Sequence, residues 1–592
     1  MADVITQHID VWTTAQLTKS TVGRGNNGKQ TAYGIKKLRE LILDLAVRGK
    51  LIPQDPNDEP AFVLLEKIAE EKAWLVKEGK IRKQNPLLEI SKDKTPFDLP
   101  YGWEWARIGD AGHDWGQKTP DTDFTYIDVS AIDNTTGIVK SPDIVSASEA
   151  PSRARKIVKV GTVIYSTVRP YLKNICVIDR EYIPEPIAST AFAILHPFQE
   201  MPGKFFALYF RSPEFVKYVE CVQTGIAYPA INDKQFFGGI VPIPPLLEQH
   251  RIVAKVDELM ALCDQLEQQQ TNSNAAHQTL VETLLGTLIA RDGGYAGNAG
   301  AISGHPSHDD FAIAWQRIAE HFDTLFTTEH SINQLKQTIL QLAVMGKLVP
   351  QDPNDEPASV LLEKIAEEKV RLVKEGKLKK EKPQPEISEE EIEFQLPDGW
   401  IWSRLQEVID VRDGTHDSPK DAIGQNTYPL VTSKNFGNGM INFDEARQIS
   451  EEDHFEISKR SKVDKYDILF SMIGGNIGNQ VMIQDDRDFS VKNVALFKYY
   501  NKDLTSPYFI KKFMEHLAMD LQANASGGAQ PFVSLGYLRN LVIAVPPISE
   551  QHRIVAKVDE LMTLCDSLKA RISQAQTTQI HLADAIVEQA VA

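Results

Sequence analysis

Residues that could carry out a reaction are scarce in this chain. The stretch GRGNNGKQT, from Gly23 to Thr31, nearly spells a phosphate-binding loop. Such a loop needs serine or threonine directly after its lysine to ligate Mg²⁺, and an apolar strand before it. Here Gln30 follows Lys29 and polar residues precede the glycines, so the stretch reads as a polar tail. The run GGNIGN at Gly474 lacks the spacing and the long following helix of a dinucleotide fingerprint, and reads as a loop. No Asn-Pro-Pro-Tyr type methyltransferase motif, no HExxH and no convincing nuclease cluster or Walker pair occurs. The cysteines Cys176, Cys221, Cys263 and Cys565 are scattered and form no CxxC pair. Neither a zinc site nor a disulfide framework is expected, and a reducing cytoplasm is the simplest home.

The elements that would position any site must fill 592 residues, enough for three or four domains. Hydrophobic residues make up 42% and charged residues 24%, a globular balance. No run approaches the roughly 18 apolar residues of a membrane span, and MADVITQHID does not open like a secretory signal. The net charge of -17 argues at first against a nucleic-acid partner. It is unevenly spread, however. Residues 106–247 hold 14 Lys+Arg against 15 Asp+Glu, and residues 403–547 hold 16 against 19. These stretches are nearly neutral, and most of the excess acid lies between and around them.

Internal repetition decides the architecture. LAVRGKLIPQDPNDEPAFVLLEKIAEEK begins at Leu45 and returns as LAVMGKLVPQDPNDEPASVLLEKIAEEK at Leu342, 297 residues later. PPLLEQHRIVAKVDELMALCDQL begins at Pro244 and returns as PPISEQHRIVAKVDELMTLCDSL at Pro546, 302 residues later. The chain is therefore two tandem halves with shared frames and divergent inserts. After Pro244-Pro245 the apolar residues Ile252, Val256, Leu259, Cys263, Leu266, Leu280 and Leu284 follow a heptad seam. Ile554, Val558, Leu561, Cys565, Leu568, Ile572, Leu582 and Ile586 repeat it, so two long coiled-coil helices are predicted. Their partners are amphipathic helices carrying Leu38, Leu41, Ile42 and Leu45, or Leu335, Ile339 and Leu342, each ended by a glycine turn at Gly49 or Gly346. Further helices are predicted over Ala61 to Gly79 and Ala358 to Gly376.

The inserts read as mixed α/β. TVIYSTV, AFAIL, DILFSMI and VALFKYY are strands, while KFFALYFRSPEFVKYVE and SPYFIKKFMEHLAMDL are helical. Each insert closes with a Gly-rich turn, a proline and a final strand. The tryptophans Trp103, Trp105, Trp400 and Trp402 alternate on strands and read as core. The predicted fold class is α+β: two mixed α/β modules separated by long antiparallel coiled-coil helices, with pseudo-two-fold symmetry. The divisions are a flexible tail over 1–32, a helical frame over 33–100 and a first module over 101–247. A central frame follows over 248–400 with a flexible linker near 291–310, then a second module over 401–547 and a final helix over 548–592.

Together these features resemble the specificity subunits of type I restriction-modification enzymes. The resemblance rests on the Glu248-Gln249 and Glu550-Gln551 frames and on the LPYGWEW and LPDGWIW entries. STVRPYLKN and ASTAFAIL carry it in the first insert, and DGTHDSPK, DILFSMIGGNIGN and GGAQP in the second. It covers the chain from about Tyr33 and implies a non-catalytic DNA sequence-recognition subunit. Each insert would be a target recognition domain reading one half of a bipartite site on double-stranded DNA. The frames would set the gap between half-sites and dock two methyltransferase subunits, with ATP-driven restriction subunits joining the assembly. No cofactor is expected in this chain; S-adenosylmethionine, ATP and Mg²⁺ belong to the partner subunits.

On that reading the DNA-contact candidates of the first insert are Arg153, Arg155, Lys156, Arg169, Tyr171, Lys173 and Tyr228. Those of the second are Thr415, His416, Lys434, Asn435, Lys459, Arg460, Asn476, Asn479 and Gln530. Arginine matches guanine edges, asparagine and glutamine match adenine, and lysine neutralises phosphate. Tyr228 and Gln530 precede matched prolines, Pro229 and Pro531, in the closing turns. For any one of them the competing reading is a solvated charge or a structural turn residue. For the whole chain it is a coiled-coil adaptor that binds protein, which the acidic total favours and the paired divergent inserts oppose.

Overall fold

The computed structural model describes residues 2–18, 30–83, 87, 89–91, 95–225, 227–289, 308–380, 382–437, 439–524 and 532–591. Two compact units form. One joins Met1–Lys19, Lys29–Asn272 and Gln576–Ala592; the other is built from Ser273–Ala575. Each unit takes one end of each of the two 44-residue helices, Leu246–Ile289 and Ile548–Val591.

In the first unit, helix Tyr33–Val47 buries Leu38, Leu41, Ile42 and Leu45 in one apolar cluster. Ile252, Val256, Leu259 and Cys263 of the first long helix share it, as do Ala583, Ile586 and Ala590 of the second. The Arg39 guanidinium fixes the register by donating to Asp264 and Glu267, both at 2.7 Å. In the second unit, helix Glu329–Val344 places Ile332, Leu335, Ile339 and Leu342 with Ile554, Val558 and Cys565, and with Val281, Leu285 and Leu288.

The seam departs from the heptad reading in its later part. Leu280 and Leu582 are 50% and 44% exposed, while Val281 and Ala583, one residue on, are fully buried. Cys263 to Val281 and Cys565 to Ala583 are both steps of 18 residues, or five turns at about 3.6 residues each. A strict heptad would give 17 or 21 over the same stretch, so the inward stripe returns to the period of a straight helix.

The N-terminal tail also needs correction. Ala2–Gln7 and Ile9–Thr14 are helical, Trp12 is fully buried, and Leu17–Thr18 pairs with Gln30–Thr31. A Cβ added at Gly34 would lie 2.4 Å from the Trp12 carbonyl oxygen, so glycine is what lets this segment dock. Of the near phosphate loop, only Gln30 and Thr31 lie among the described residues. The expected linker near 291–310 falls outside them up to residue 307, and helix His308–Glu320 follows.

Each insert is pinched shut at its base. Strand Glu104–Arg107 pairs antiparallel with Ile240–Ile243, and Ile401–Arg404 with Val542–Val545. Beyond the pinch the two modules share a strand order. The first has Ile175–Val177, Val163–Ser166, Phe192–Pro197 and Gly112–His113 across one sheet. The second has Gln480–Met482, Ile468–Ser471, Val494–Lys498 and Asp410–Asp413 in the same places. In both, a second sheet contains a parallel pair: Phe124–Ile127 with Pro186–Ser189, and Thr427–Val431 with Ser490–Val491. The helical stretch KFFALYFRSPEFVKYVE breaks into Gly203–Arg211 and Pro213–Val222, because Pro213 cannot continue a helix but suits its first turn.

A buried polar knot ties entry, loop and long helix together, once in each unit. Glu248 is 1% exposed and accepts from the Trp103 indole Nε1 at 3.0 Å and from Gln54 at 3.3 Å. Glu550 accepts from Trp400 at 2.9 Å and Gln351 at 3.2 Å. Beside them Arg251 pairs with Asp58 and Arg553 with Asp355. Burial pushes the Glu248 and Glu550 carboxyls above their ordinary range, against the pull of their donors. Trp103 and Trp400 are buried as expected, whereas Trp105 and Trp402 are half-buried against Phe97 and Phe394. The neighbouring glutamines differ in one respect. Gln551 Oε1 accepts from the Ser506 backbone N–H at 3.0 Å, but Gln249 Oε1 is buried without a hydrogen-bond partner among the described residues. Pro202 caps the corresponding helix of the first module and has no N–H to give.

Glu248→Ala should strand the buried Trp103 donor, while the exposed Gln54 keeps its bond to the Gly49 carbonyl, and destabilise the first unit by about 1–3 kcal/mol. Glu550→Ala should do the same to the second. Urea denaturation checks both, and a loss below about 0.5 kcal/mol, the size of a neutral surface change, would contradict the role given to the knot. A pH dependence also follows. Burial holds His113 and His196 down to about 4 from an ordinary 6.5, and His113 further lowers His196. Between those values the unfolded chain binds more protons than the folded one. The first module should therefore lose stability as pH falls from 6.5 to 4, by at most about 1.4 kcal/mol per pH unit for each histidine. Thermal melting across this range tests it, and His113→Phe should flatten the curve.

Candidate nucleic-acid interface

In the first module four chain segments converge. The loop after strand Val163–Ser166 is bonded to the closing turn: Arg169 N–H donates to Pro229 at 2.9 Å and Ile231 N–H to Thr167 at 2.9 Å. Thr167 N–H and Oγ1 both donate to the Ala191 carbonyl at 2.9 Å, and Thr190 N–H donates to Arg153 at 2.8 Å. Arg153, Arg169, Tyr171 and Tyr228 are thereby brought together as exposed side chains. The Arg169 guanidinium lies 5.0 Å from the centre of the Tyr228 ring, which is 68% exposed. Val168 and Leu172 add exposed apolar surface.

The same construction recurs in the second module. There Ile473 bridges to Phe532, and Val533 N–H donates to the Met472 carbonyl at 2.9 Å. Asn476 and Asn479 stand exposed on the loop. Nearby, His416 Nδ1 lies 3.2 Å from Asn493 Oδ1 and its Nε2 lies 2.7 Å from Asp413. Arg460 donates to the Gly414 carbonyl at 3.0 Å and remains exposed. Lys434 is exposed, and among the described residues it carries no ion pair. Gln530 lies outside the described residues.

Not every candidate faces solvent. Lys156 is 3% exposed and bridges Asp114 at 2.7 Å and Asp233 at 2.9 Å. Burial works against its charge, but the two carboxylates outweigh it and raise its pKa. Its ammonium is thus held inside the module as a cross-link between the two carboxylates. Thr415 is 5% exposed, and its hydroxyl accepts the Asp417 N–H at 3.1 Å. Asn435 is 6% exposed, and its Oδ1 accepts from Thr432 N–H at 2.9 Å to cap the turn Ser433–Asn435. Both are turn residues for the same reason: short polar side chains satisfy nearby backbone. Arg155 is half-buried and bends back to the Ala154 carbonyl at 3.0 Å. Lys173 is half-buried, and burial lowers its pKa. Lys459 is exposed but paired with Glu456.

The sequence reading passed over Asn493, Ile473 and Phe532. Asn493 sits at φ 55 between two strands and reaches His416. An asparagine between two strand runs signals a left-handed turn. Ile473, 40% exposed, looked like a strand residue, and Phe532, 63% exposed, lay unremarked in the closing turn.

Aligning STVRPYLKN with SMIGGNIGN matches Arg169 to Gly474 and Lys173 to Gly478. All four are left-handed, at φ 49, 53, 71 and 83 for Arg169, Lys173, Gly474 and Gly478. Glycine sits there freely, whereas a residue with a Cβ costs about 1–2 kcal/mol.

Among the described residues, no helix is long and apolar enough to cross a membrane, and no group of three His, Cys, Asp or Glu could hold a metal. Residues 397–576 match the model of the type I restriction modification DNA specificity domain. The chain is 40% identical over 607 residues to the Type I restriction enzyme EcoAI specificity subunit of Escherichia coli, covering 99% of each. It is 38% identical over 606 residues to the EcoEI specificity subunit of the same organism, again covering 99% of each. A solved HsdS subunit from Thermoanaerobacter tengcongensis is 22% identical, with 84% of this chain and 98% of that one covered, at a TM-score of 0.44. Identity at this level along the whole length, on the duplicated frame described above, places the chain in the family of type I restriction enzyme specificity subunits.

Proposed function

We propose that this chain chooses a bipartite DNA sequence for a larger type I assembly, each module reading one half-site. The observation that carries this reading is the repeated construction. Two modules with one strand order stand on duplicated frames, and each joins a strand loop to a closing turn under exposed polar and cationic side chains. Of the candidates, Arg153, Arg169, Tyr171 and Tyr228 would serve the first module. His416, Lys434, Arg460, Asn476 and Asn479 would serve the second. The frames would hold the methyltransferase subunits. Methyl transfer, ATP use and Mg²⁺ binding then fall to the partner subunits in the cytoplasm.

Exchange of residues 106–247 for the equivalent insert of a relative should alter one half of the methylated sequence and leave the other. Mapping methylated adenines in cellular DNA reads the result. A change in both halves, or in neither, would exclude independent modules. The continuous helix Leu246–Ile289 would set the gap between half-sites. Seven extra residues near Gln270 lengthen a helix by about 10 Å and turn its stripe by only about 20°. The preferred gap should grow by about one to three base pairs at about 3.4 Å each, with both half-sites retained. An unchanged gap in a folded, DNA-binding variant would make the helix a mere tether. Lengthening residues 291–307 is the control and should leave the gap unaltered.

A further inference from the structure

We infer that Arg169 is the DNA anchor of the first module, a guanidinium fork held ready at the expense of backbone strain; this rests on the reading that the module binds DNA. Three observations converge on this residue. Its backbone is left-handed at φ 49, a conformation that the second module gives to Gly474 at the matching loop position. Its N–H is fixed to the Pro229 carbonyl at 2.9 Å, so the loop cannot relax without parting from the closing turn. Its side chain, exposed and without a carboxylate partner among the described residues, lies over the exposed Tyr228 ring, 5.0 Å from its centre.

A surface arginine without a task would be expected to drift, to pair with an acid, or to be a glycine at this φ. Arg169 does none of these. Contact with the ring limits side-chain freedom before DNA arrives, and no hydrogen bond or ion pair among the described residues occupies the guanidinium donors, so the fork is available for two parallel bonds. The ligand chemistry is a pair of acceptors set side by side. Two phosphate oxygens provide it, and so do O6 and N7 of guanine in the major groove. Strain at a sparsely populated backbone angle, held by surrounding bonds, is a common mark of a site kept for binding and not for stability. The second module lacks this fork, because Gly474 and Gly475 offer only backbone there.

The test uses the full chain assembled with its methyltransferase subunits, comparing the native chain with Arg169→Gly, Arg169→Lys and Tyr228→Ala. Arg169→Gly copies the second module and relieves the strain, so its melting temperature should hold or rise. Its affinity for the cognate duplex should fall about tenfold to a hundredfold. Arg169→Lys keeps the charge but not the fork and should recover only part of the loss. Tyr228→Ala should show a smaller loss in the same direction. Two arms identify the acceptors. A uniform loss across sequences, with the log–log salt slope reduced by about 1, marks phosphate. Loss of one guanine from one half of the methylated sequence marks a base edge. Unchanged affinity in Arg169→Gly, or a fall in its melting temperature, overturns the inference. If the native chain methylates no two-part sequence at all, the parent reading fails instead, and that outcome is seen before any variant is compared.

Discussion

A carboxylate buried at the start of each long helix is the constraint on which the rest depends. Glu248 and Glu550 sit in the first turn of their helices, where the unsatisfied backbone N–H groups favour negative charge. Each takes a tryptophan from the module's entry and a glutamine from the proline-rich loop. The knot therefore joins three pieces of chain far apart in sequence. The module's last strand runs directly into the helix, while its first strand follows the tryptophan. Fixing the tryptophan on the carboxylate fixes both ends of the insert at one point. What lies between those ends is then free to diverge without disturbing the frame.

That freedom is visible in the modules. They share strand order, the parallel pair and the loop-to-turn bridge, yet their loops carry opposite solutions at the same backbone angles. The first module places Arg169 and Lys173 where the second places Gly474 and Gly478. A Cβ at Gly478 would lie 2.7 Å from the Ala518 Cβ, so the second module packs a helix against its bare loop. The first leaves room for Lys173, which is half-buried and turns its ammonium toward the Arg211 carbonyl at 3.5 Å. The scaffold tolerates both because the loop is held by backbone hydrogen bonds, which are indifferent to side-chain type.

Much of this was legible in the sequence. Two offsets near 300 residues exposed the duplication, the apolar stripe announced the long helices, and alternating apolar runs located the central strands. Other features were hidden for physical reasons. The stripe was followed as a strict heptad through a polar stretch, where nothing in composition distinguishes 3.5 from 3.6 residues per turn. That placed Leu280 and Leu582 inward in error. Lys156, Thr415 and Asn435 have side chains suited to DNA, but a side chain's chemistry does not reveal its burial. Asp114 and Asp233, which claim Lys156, lie 42 and 77 residues away in the chain. The tail was read as polar and flexible, and the burial of Trp12 was not foreseen.

The acidic total, which seemed to oppose a DNA partner, acts less strongly than its size implies. At physiological salt a charge is screened over about 8 Å, so acids elsewhere on so long a chain barely reach a given loop. Much of the acid is also engaged locally. Asp264 and Glu267 hold Arg39, Asp58 holds Arg251, and Asp355 holds Arg553. What DNA would meet is the balance within each loop cluster. There Arg153 and Lys434 are exposed and carry no ion pair among the described residues, and Arg169 is held by an aromatic ring, which leaves its charge intact. An overall acidic protein can thus present small cationic sites, and the surrounding acid then works for selectivity. It penalises loose, charge-driven contact elsewhere on the surface, so that DNA held by this chain would be held at the module loops.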